Sequence, residues 1–319
     1  MTQYRNVTNR RNAAYYRMLG FEKRSSASFH KELIGLLLLC IVTVVISGYC
    51  LKLLHTHLQV KEVIEEGINY ESFRVMKLDE EAFRLIKSRT NHLLKRNPSL
   101  KNIPMVDEYG YLAVSMLLND YDLEQKEPVD EQTFLRGIGS LVYEKDFRDL
   151  YEDYKAVLND LEYFPVPRME GADVSYEDSW YKPRTYGGKR KHEGTDLMAS
   201  NNERGYFPII SMTNGIVEKI GWLEQGGYRI GIRSESGAYF YYAHLYSYAP
   251  EIKQGDGVIA GQLLGFMGDS GYGPEGTTGQ FDVHLHMGIY LNSGDKEVSV
   301  NPYWIIKILE KYRTNYDYQ

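Results

Sequence analysis

The feature that most constrains this chain is an uncharged apolar segment that runs from Leu33 to Leu51. Its 19 residues are close to the roughly 20 helical residues that cross the hydrocarbon core of a bilayer. The apolar core of a signal peptide is shorter, roughly 7–15 residues, and ends in small residues for cleavage. No such ending is evident, and Tyr49 precedes Cys50 where lipoprotein cleavage needs a small residue. The segment therefore predicts an uncleaved signal anchor, with a buried core helix as the alternative.

The charges that flank this segment indicate its orientation. Seven Lys and Arg residues and only two Glu residues precede it, whereas Lys52, Lys61 and three Glu residues follow it closely. By the positive-inside rule, residues 1–32 form a basic cytoplasmic tail, 33–51 span the membrane, and the chain beyond about residue 54 lies outside. We therefore predict a single-pass protein of the cell membrane. Both cysteines lie in the anchor, so the exported part has no disulfide and no thiolate ligand.

Residues 52–163 are predicted to form a helical extracytoplasmic region. The clearest helix has Phe147, Leu150, Tyr151, Tyr154 and Leu158 on one face, at the spacing of an amphipathic helix. The other predicted helices are Leu58–Met76, one that begins after Asp79, Tyr109–Tyr121, and one that Asp130 caps. Two roles are open for this region: a spacer that holds the following domain off the membrane, which we favour, or a module that binds a protein partner.

Residues 164–319 are predicted to form a mainly antiparallel β domain. Phe164-Pro165-Val166-Pro167 ends the helices, because a residue before proline favours extended backbone. Glycine-containing turns then separate short strands. The predicted strands are Ile216–Ile220, Tyr228–Arg233, Tyr239–Ala243, Gln262–Phe266 and Val283–Leu291. The fold class is therefore α+β and multidomain. A net charge of −6 does not suggest a nucleic-acid partner.

Four histidines lie beyond residue 93, and all four fall in short motifs. His284 and His286 are two residues apart in a predicted strand, which places both imidazoles on one face. His192 is followed by Asp196, with Gly194 between them to allow a tight bend. Two His, one Asp and a water are the open tetrahedral set of catalytic zinc, and imidazoles disfavour calcium or magnesium. Taken singly, Asp196 suits a turn or cap.

His244 follows the predicted strand Tyr239–Ala243. In isolation it is more typical of an ordinary strand histidine packed among tyrosines. It gains weight only as a member of the set of four.

The order His-x-Gly-x-Asp, Tyr-Ala-His-Leu and His-Leu-His resembles the lysostaphin/LytM-type zinc metallopeptidases, which cut peptidoglycan peptides. The resemblance covers about residues 170–305. Flanking residues agree with it: Trp180, Pro183-Arg184-x-x-Gly187-Gly188, Gly215-Ile216-Val217, Gly255-Asp256-x-Val258, and Gly268-x-Ser270-Gly271. The loop before His-Leu-His is longer than in many members, and Asp282-Val283 replaces Gly-Pro.

The resemblance implies zinc held by His192, Asp196 and His286, with His284 as general base and His244 stabilising the substrate oxyanion. It also implies a sheet bent into a groove with zinc on its floor, and peptidoglycan as substrate. The chain is thereby expected to be a membrane-anchored zinc endopeptidase. The alternative is a non-catalytic wall-binding or scaffold protein of the same fold, including a partner protein of the kind found in sporulation. A zinc hydrolase acting on another substrate is the third interpretation.

Overall fold

The computed structural model describes residues 26–186, 188–293 and 296–316. Most of the predicted basic tail, residues 1–32, therefore lies outside the described residues, as does Gly187 of the flanking motif. The chain divides into two compact units, Met1–Leu58 and Gln59–Gln319. In the first unit, the described residues belong to a helix, α1, which spans Ser26–Glu66. It is long and apolar enough to cross a membrane, and Leu33 to Leu51 are exposed throughout.

Helix α1 ends where the sequence places Gly67. Gly67 has a φ of 81°, and its N–H donates to the carbonyl of Val63, which is a left-handed C-cap. Asn69 then accepts from the N–H of Ser72 and begins a short second helix. The predicted single helix Leu58–Met76 is therefore wrong: two helices meet at a glycine.

Within the described residues, six α-helices follow α1, the short helix after Asn69 among them, and caps set most of their starts. The side chains of Asp79, Asp107 and Asp130 each accept backbone N–H groups, which satisfies donors that a helix N-terminus leaves free. Tyr109–Tyr121 proves shorter than predicted, since residues after Leu118 leave helical geometry. The helices are α2 (Tyr70–Arg74), α3 (Glu80–Arg96), α4 (Glu108–Leu117), α5 (Glu131–Leu141), α6 (Lys145–Leu158) and α7 (Pro302–Leu309).

The predicted apolar stripe of α6 is confirmed. Phe147, Leu150, Tyr151, Tyr154 and Leu158 are all buried. The Tyr154 ring meets the ring of Phe73 from α2 edge-on, with centroids 5.0 Å apart. Aromatic and aliphatic side chains from the helices and from the following sheet belong to one hydrophobic core, so both regions are parts of the unit that begins at Gln59.

A ten-stranded antiparallel sheet carries the rest of this unit. The strands of this sheet are β3 (Val174–Ser175), β6 (Thr195–Ala199), β7 (Pro208–Ile210), β8 (Gly215–Leu223), β9 (Gly227–Ser234), β10 (Tyr239–Tyr248), β11 (Gly257–Val258), β12 (Leu263–Met267), β13 (His284–Ser293) and β14 (Lys296–Val300). Its main path runs β11-β8-β9-β10-β13-β6-β3, with β12 beside β10 and β7, and β14 beside β13. Two small sheets pair β1 (Lys77–Leu78) with β2 (Asp122–Leu123), and β4 (Pro183–Arg184) with β5 (Arg190–Lys191).

The sheet has one buried face and one face that borders a cleft. Ile230 and Ile232 of β9 and Leu285 and Met287 of β13 point into the core and are fully buried. Because strand side chains alternate, Arg229 of β9 and His284 and His286 of β13 lie on the other face and line the cleft. The predicted α+β class, with an apolar N-terminal helix, a helical region and an antiparallel β domain, is confirmed. The domain boundary at residues 163 and 164 stays a prediction.

Candidate metal centre

The two histidines of the His-Leu-His motif lie on one face of β13. His284 opposes Met198 of β6, and His286 opposes Asp196. Leu285 between them is fully buried on the other face. The predicted two-residue period therefore holds, and it presents both imidazoles to the same cleft.

Asp196, His286 and His192 bring three ligand atoms together. Oδ1 of Asp196 lies 2.9 Å from Nδ1 of His286 and 3.0 Å from Nε2 of His192. The two ring nitrogens are 3.0 Å apart. Residues separated by 90 positions thus converge because β6 and β13 are neighbours in the sheet. These three are the residues of one cluster able to hold a metal ion.

The close approach of these side chains depends on Gly194. A Cβ atom at this position would lie 2.4 Å from Cε1 of His286 and 2.7 Å from the carbonyl oxygen of Met287. Gly194 is not among the glycines with positive φ. The expected tight bend is therefore not its main role: the absence of a side chain leaves room for the His286 ring.

The donor set fits a first-row divalent metal. A tetrahedral site with bonds of about 2.0–2.2 Å separates its ligand atoms by roughly 3.3 Å, and the three atoms here are 2.9–3.0 Å apart. Two imidazoles and one carboxylate leave a fourth position open, as in catalytic rather than structural sites. Calcium and magnesium prefer ligands that are all oxygen atoms, so the two imidazoles disfavour both cations at this site.

Hydrogen bonds with residues outside the cluster orient two of the three donors. Nδ1 of His192 donates to the backbone carbonyl of Ser179 at 3.1 Å, so Nε2 keeps its lone pair for the metal. Arg184 of β4 donates to Oδ2 of Asp196 at 2.7 Å, which leaves Oδ1 for the cluster. Ser179 and Arg184 complete the site from a loop and a two-stranded hairpin.

His284 and His244 stand beside the three donors with a shared arrangement. Nδ1 of His284 donates to the carbonyl of Asp282 at 2.7 Å, and Nδ1 of His244 donates to the carbonyl of Ser270 at 2.8 Å. A carbonyl oxygen only accepts, so Nδ1 carries the hydrogen in both rings. Their ring centroids are 4.7 Å apart, and Nε2 of His284 is 3.8 Å from Oδ1 of Asp196.

A bulge in β10 directs His244 to the cleft. The predicted strand ended at Ala243, but β10 continues to Tyr248. Its pairing with β9 shifts between Tyr242 and Leu245, and His244 has a φ of 63°. This left-handed conformation is costly for a residue with a Cβ atom, and bulges commonly re-aim a side chain near active sites.

Electrostatics favour an ionised carboxylate among neutral imidazoles. Burial alone would raise the pKa of Asp196, but the imidazoles of His192, His286 and His284 around the carboxylate hold that pKa well below its usual value. Burial lowers the pKa of His286. Burial, reinforced by His284 and His286, also lowers the pKa of His244 well below its usual value. Neutral rings keep the lone pairs that bind a metal or accept a proton.

The site opens into a cleft of about 1010 Å³ with aromatic walls. On one side Phe281 packs against His244, with ring centroids 4.6 Å apart. On the same side Tyr272 contacts Phe281, with ring centroids 4.8 Å apart, and stacks on Tyr186 at 4.0 Å. Arg190 donates to the Tyr272 hydroxyl at 3.1 Å. The long loop before the His-Leu-His motif, which carries Tyr272 and Phe281, thereby forms part of the wall.

All five residues singled out by sequence line this one cleft: His192, Asp196, His244, His284 and His286. The cleft also contains residues that sequence reasoning did not assign to it. These residues are Arg229, Tyr241 and Tyr290, and none of them belongs to a motif. The alternation of side chains along β9, β10 and β13 was the signal in the sequence that could have placed them on the cleft face.

Two histidines and one aspartate beside an antiparallel sheet form a donor set that could hold a metal ion with one position left open. The family model described as Peptidase family M23 matches residues 190–302. A crystal structure of a candidate glycyl-glycine endopeptidase LytM from Ruminococcus gnavus ATCC 29149 is similar over 82% of this chain and 99% of that chain, at 38% identity and a TM-score of 0.64. The chain belongs to peptidase family M23.

Two curated relatives are similar over shorter stretches. The L-Ala–D-Glu endopeptidase of Bacillus subtilis (strain 168) is 41% identical over 167 residues, which are 52% of this chain and 49% of the relative. Lysostaphin of Staphylococcus simulans is 30% identical over 118 residues, 36% of this chain and 21% of the relative. The chain thus spans about half or less of the length of these curated relatives.

Proposed function

We propose that this chain is a zinc-dependent endopeptidase that cleaves peptide bonds of peptidoglycan outside the cell membrane. The observation that carries the proposal is the cluster of His192, Asp196 and His286, whose ligand atoms lie 2.9–3.0 Å apart. Two further imidazoles, His244 and His284, face the same cleft with Nδ1 held by backbone carbonyls. A metal-binding scaffold without catalysis has no need of these two rings.

The chemistry divides among the named residues. Zinc, when bound by His192, Asp196 and His286, supplies a Lewis acid that activates water and polarises a carbonyl. His284 accepts the proton of the attacking water at Nε2, because its Nδ1 already donates to Asp282. His284 then returns that proton to the nitrogen of the leaving amine.

We assign the stabilisation of the substrate oxyanion to His244. Its neutral ring accepts at Nε2, because Nδ1 carries the hydrogen that bonds Ser270. In the imidazolium form, Nε2 donates a hydrogen bond to the developing oxyanion, which is the type of interaction that stabilises acyl-transfer transition states. Burial keeps this ring neutral in the resting site, so His244 takes the proton from solvent before the water attacks and releases it to solvent when the product leaves.

The names of the relatives support a peptide of the cell wall as substrate. One is named for the L-Ala–D-Glu bond and another for a glycyl-glycine bond. We propose stem peptides or cross-bridges of peptidoglycan as the substrate class. A cleft of about 1010 Å³ with the rings of Tyr272 and Phe281 along its wall suits an extended peptide.

The membrane anchor is supported by α1. Its apolar side chains from Leu33 to Leu51 are exposed, which in water would cost roughly 25 cal/mol for each Å² of apolar surface. The excess of basic residues before the segment supports a cytoplasmic N-terminus and an extracytoplasmic catalytic region. This orientation brings the site to the side of the membrane on which peptidoglycan is found.

The test uses the full chain in detergent micelles, loaded with zinc, on purified peptidoglycan. The wild type is expected to release new amino groups from peptidoglycan. A chelator is expected to abolish this release, and added zinc to restore it. His284→Gln is expected to bind zinc but to lose about 100-fold or more in rate. His92→Gln, which changes an exposed histidine of the helical region, is the control. Zinc binding without release of amino groups, on walls of several chemotypes, would support the scaffold alternative instead.

A further inference from the structure

Arg229 places one unpartnered guanidinium nitrogen in the cleft. Its Nη1 atom is buried and has no hydrogen-bond partner, and its side chain lines the cleft. Among the described residues, no carboxylate lies within 4.0 Å of the Arg229 guanidinium. A buried cationic donor without a partner is costly, because its desolvation is not compensated. A ligand that supplies the partner would remove this cost.

The register of the sheet locates Arg229 relative to the metal donors. Arg229 lies in the bulged stretch between the pairs Ile230–Tyr242 and Tyr228–Leu245, opposite Ala243 and His244 of β10. Ala243 in turn pairs with His286. Two strand spacings separate Arg229 from His286, which amounts to about 10 Å between their backbones.

Tyr241 forms the floor between the two residues. Its ring centroid is 6.0 Å from that of His286. Burial raises the pKa of Tyr241, and the positive charge of Arg229 is the largest influence that opposes this rise. Tyr241 is therefore in the electrostatic reach of Arg229 on one side and in contact distance of the metal donors on the other.

The cleft as a whole is more positive than the chain. Five cationic and four anionic side chains line it, one of the latter being the ligand Asp196, whereas the whole chain carries −6. Lys219 is paired with Glu297 and Arg184 with Asp196. A divalent ion on the donors would make the cleft more positive still, which favours an anionic ligand.

We propose that Arg229 binds a free carboxylate of the substrate, so that this chain prefers an acidic peptide over an uncharged one such as a glycine bridge. The inference rests on the proposed peptidase function and names the substrate class of that same site. An extended peptide rises about 3.3 Å per residue, so the carboxylate belongs to a residue within about three positions of the cleaved bond. Arg229 is thus a specificity-determining residue about 10 Å from the donors rather than part of the reacting centre.

The experiment compares three synthetic peptides with the zinc-loaded full chain in detergent micelles: one with L-Ala–D-Glu and a free α-carboxylate, the same peptide with that carboxylate amidated, and pentaglycine. The wild type is expected to cleave the acidic peptide with kcat/KM at least about tenfold above the amide, as one charge-assisted hydrogen bond allows. Arg229→Gln is expected to remove that preference and to change cleavage of the amide by less than about twofold. Arg229→Lys is expected to retain part of it.

Lys219→Gln is the matched control, since it removes a cleft cation that already has a carboxylate partner; the ratio of acidic to amidated peptide is expected to stay at the wild-type value. Equal cleavage of the two peptides by the wild type, or an equal loss on both in Arg229→Gln, would overturn the proposal.

Peptide binding to the chelator-treated full chain, followed by fluorescence anisotropy, reads the same preference without catalysis. Tighter binding of the acidic peptide that Arg229→Gln abolishes supports the carboxylate site even if no peptide is cleaved, an outcome that refutes the peptidase function alone. Equal binding of the acidic and amidated peptides refutes the carboxylate site even if both are cleaved.

Discussion

Gly194 lies directly against the imidazole of His286, and an added Cβ atom would come within 2.4 Å of its Cε1 atom. The contact joins the His192–Asp196 turn to the strand that supplies the third donor. The metal centre is therefore sensitive to a single methyl group at a position that carries no ligand atom.

Gly194→Ala is expected to displace the His286 ring and to weaken zinc binding by about 100-fold or more, because three donors must meet within a few tenths of an ångström. Competition with a fluorescent zinc chelator measures this affinity. Gly257→Ala is the control, since no atom lies within 4 Å of the added Cβ there. Similar zinc affinities for the two variants would show that the ring of His286 yields without loss of the site.

Arg74 links the helical region to the neighbourhood of the metal donors. Its guanidinium donates to the carbonyl and hydroxyl of Ser299 at 2.8 and 2.9 Å and lies 4.9 Å from the ring centroid of Tyr181. The N–H of Tyr181 donates to the carbonyl of His192 at 2.7 Å. The helical region thereby supports the segment that orients His192.

Arg74→Ala is expected to lower the free energy of unfolding by about 2–3 kcal/mol, since it leaves buried acceptors unpaired, and to weaken zinc binding by about tenfold. Urea unfolding and zinc titration of the full chain in micelles measure the two effects. Arg84→Ala removes an exposed arginine paired with Glu81 and is expected to change stability by less than about 0.5 kcal/mol. If the two variants behave alike, the helical region does not support the site through Arg74.

Asp153 of α6 makes stability depend on pH. Burial and the nearby charge of Asp149 raise the pKa of Asp153 to about 7, whereas an unfolded Asp titrates near 4. The folded state then holds a proton that the unfolded state releases, so this contribution to stability is complete below about pH 4 and is lost as the pH rises through about 7.

Asp153→Asn stays neutral at every pH, so its melting temperature is expected to exceed that of the wild type increasingly between about pH 5 and about pH 8. Thermal unfolding of the full chain across this range measures the difference. Glu124→Gln, which neutralises an exposed carboxylate of the same region, is expected to track the wild type. A constant offset between Asp153→Asn and the wild type would rule out the titration of Asp153 as its cause.

Local patterns in the sequence were enough for parts of the site. The two-residue spacing of His284 and His286 predicted their shared face, because alternation along a strand depends only on the strand itself. The helix starts predicted at Asp79 and Asp130 were likewise local signals and are confirmed. The helix predicted over Leu58–Met76 was wrong, because a left-handed Gly67 ends α1 and a second helix begins after Asn69.

Other features depend on distant parts of the chain. The bulge that turns His244 into the cleft arises where the pairing of β10 with β9 shifts, and no property of residues 239–244 alone specifies it. The hydrogen bond from Arg184 to Asp196 and the position of Arg229 opposite Ala243 also follow from the packing of separate strands. Sequence therefore predicted the donors and missed much of what orients them.

X-ray absorption at the zinc edge of the full chain shows whether His192, Asp196 and His286 bind one divalent ion. We expect one zinc per chain, bound only by nitrogen and oxygen atoms at about 2.0–2.2 Å, with two imidazoles in the wild type and one fewer in any remaining zinc of His286→Ala. A wild-type spectrum without imidazole scattering, or one that His286→Ala leaves unchanged, would contradict it.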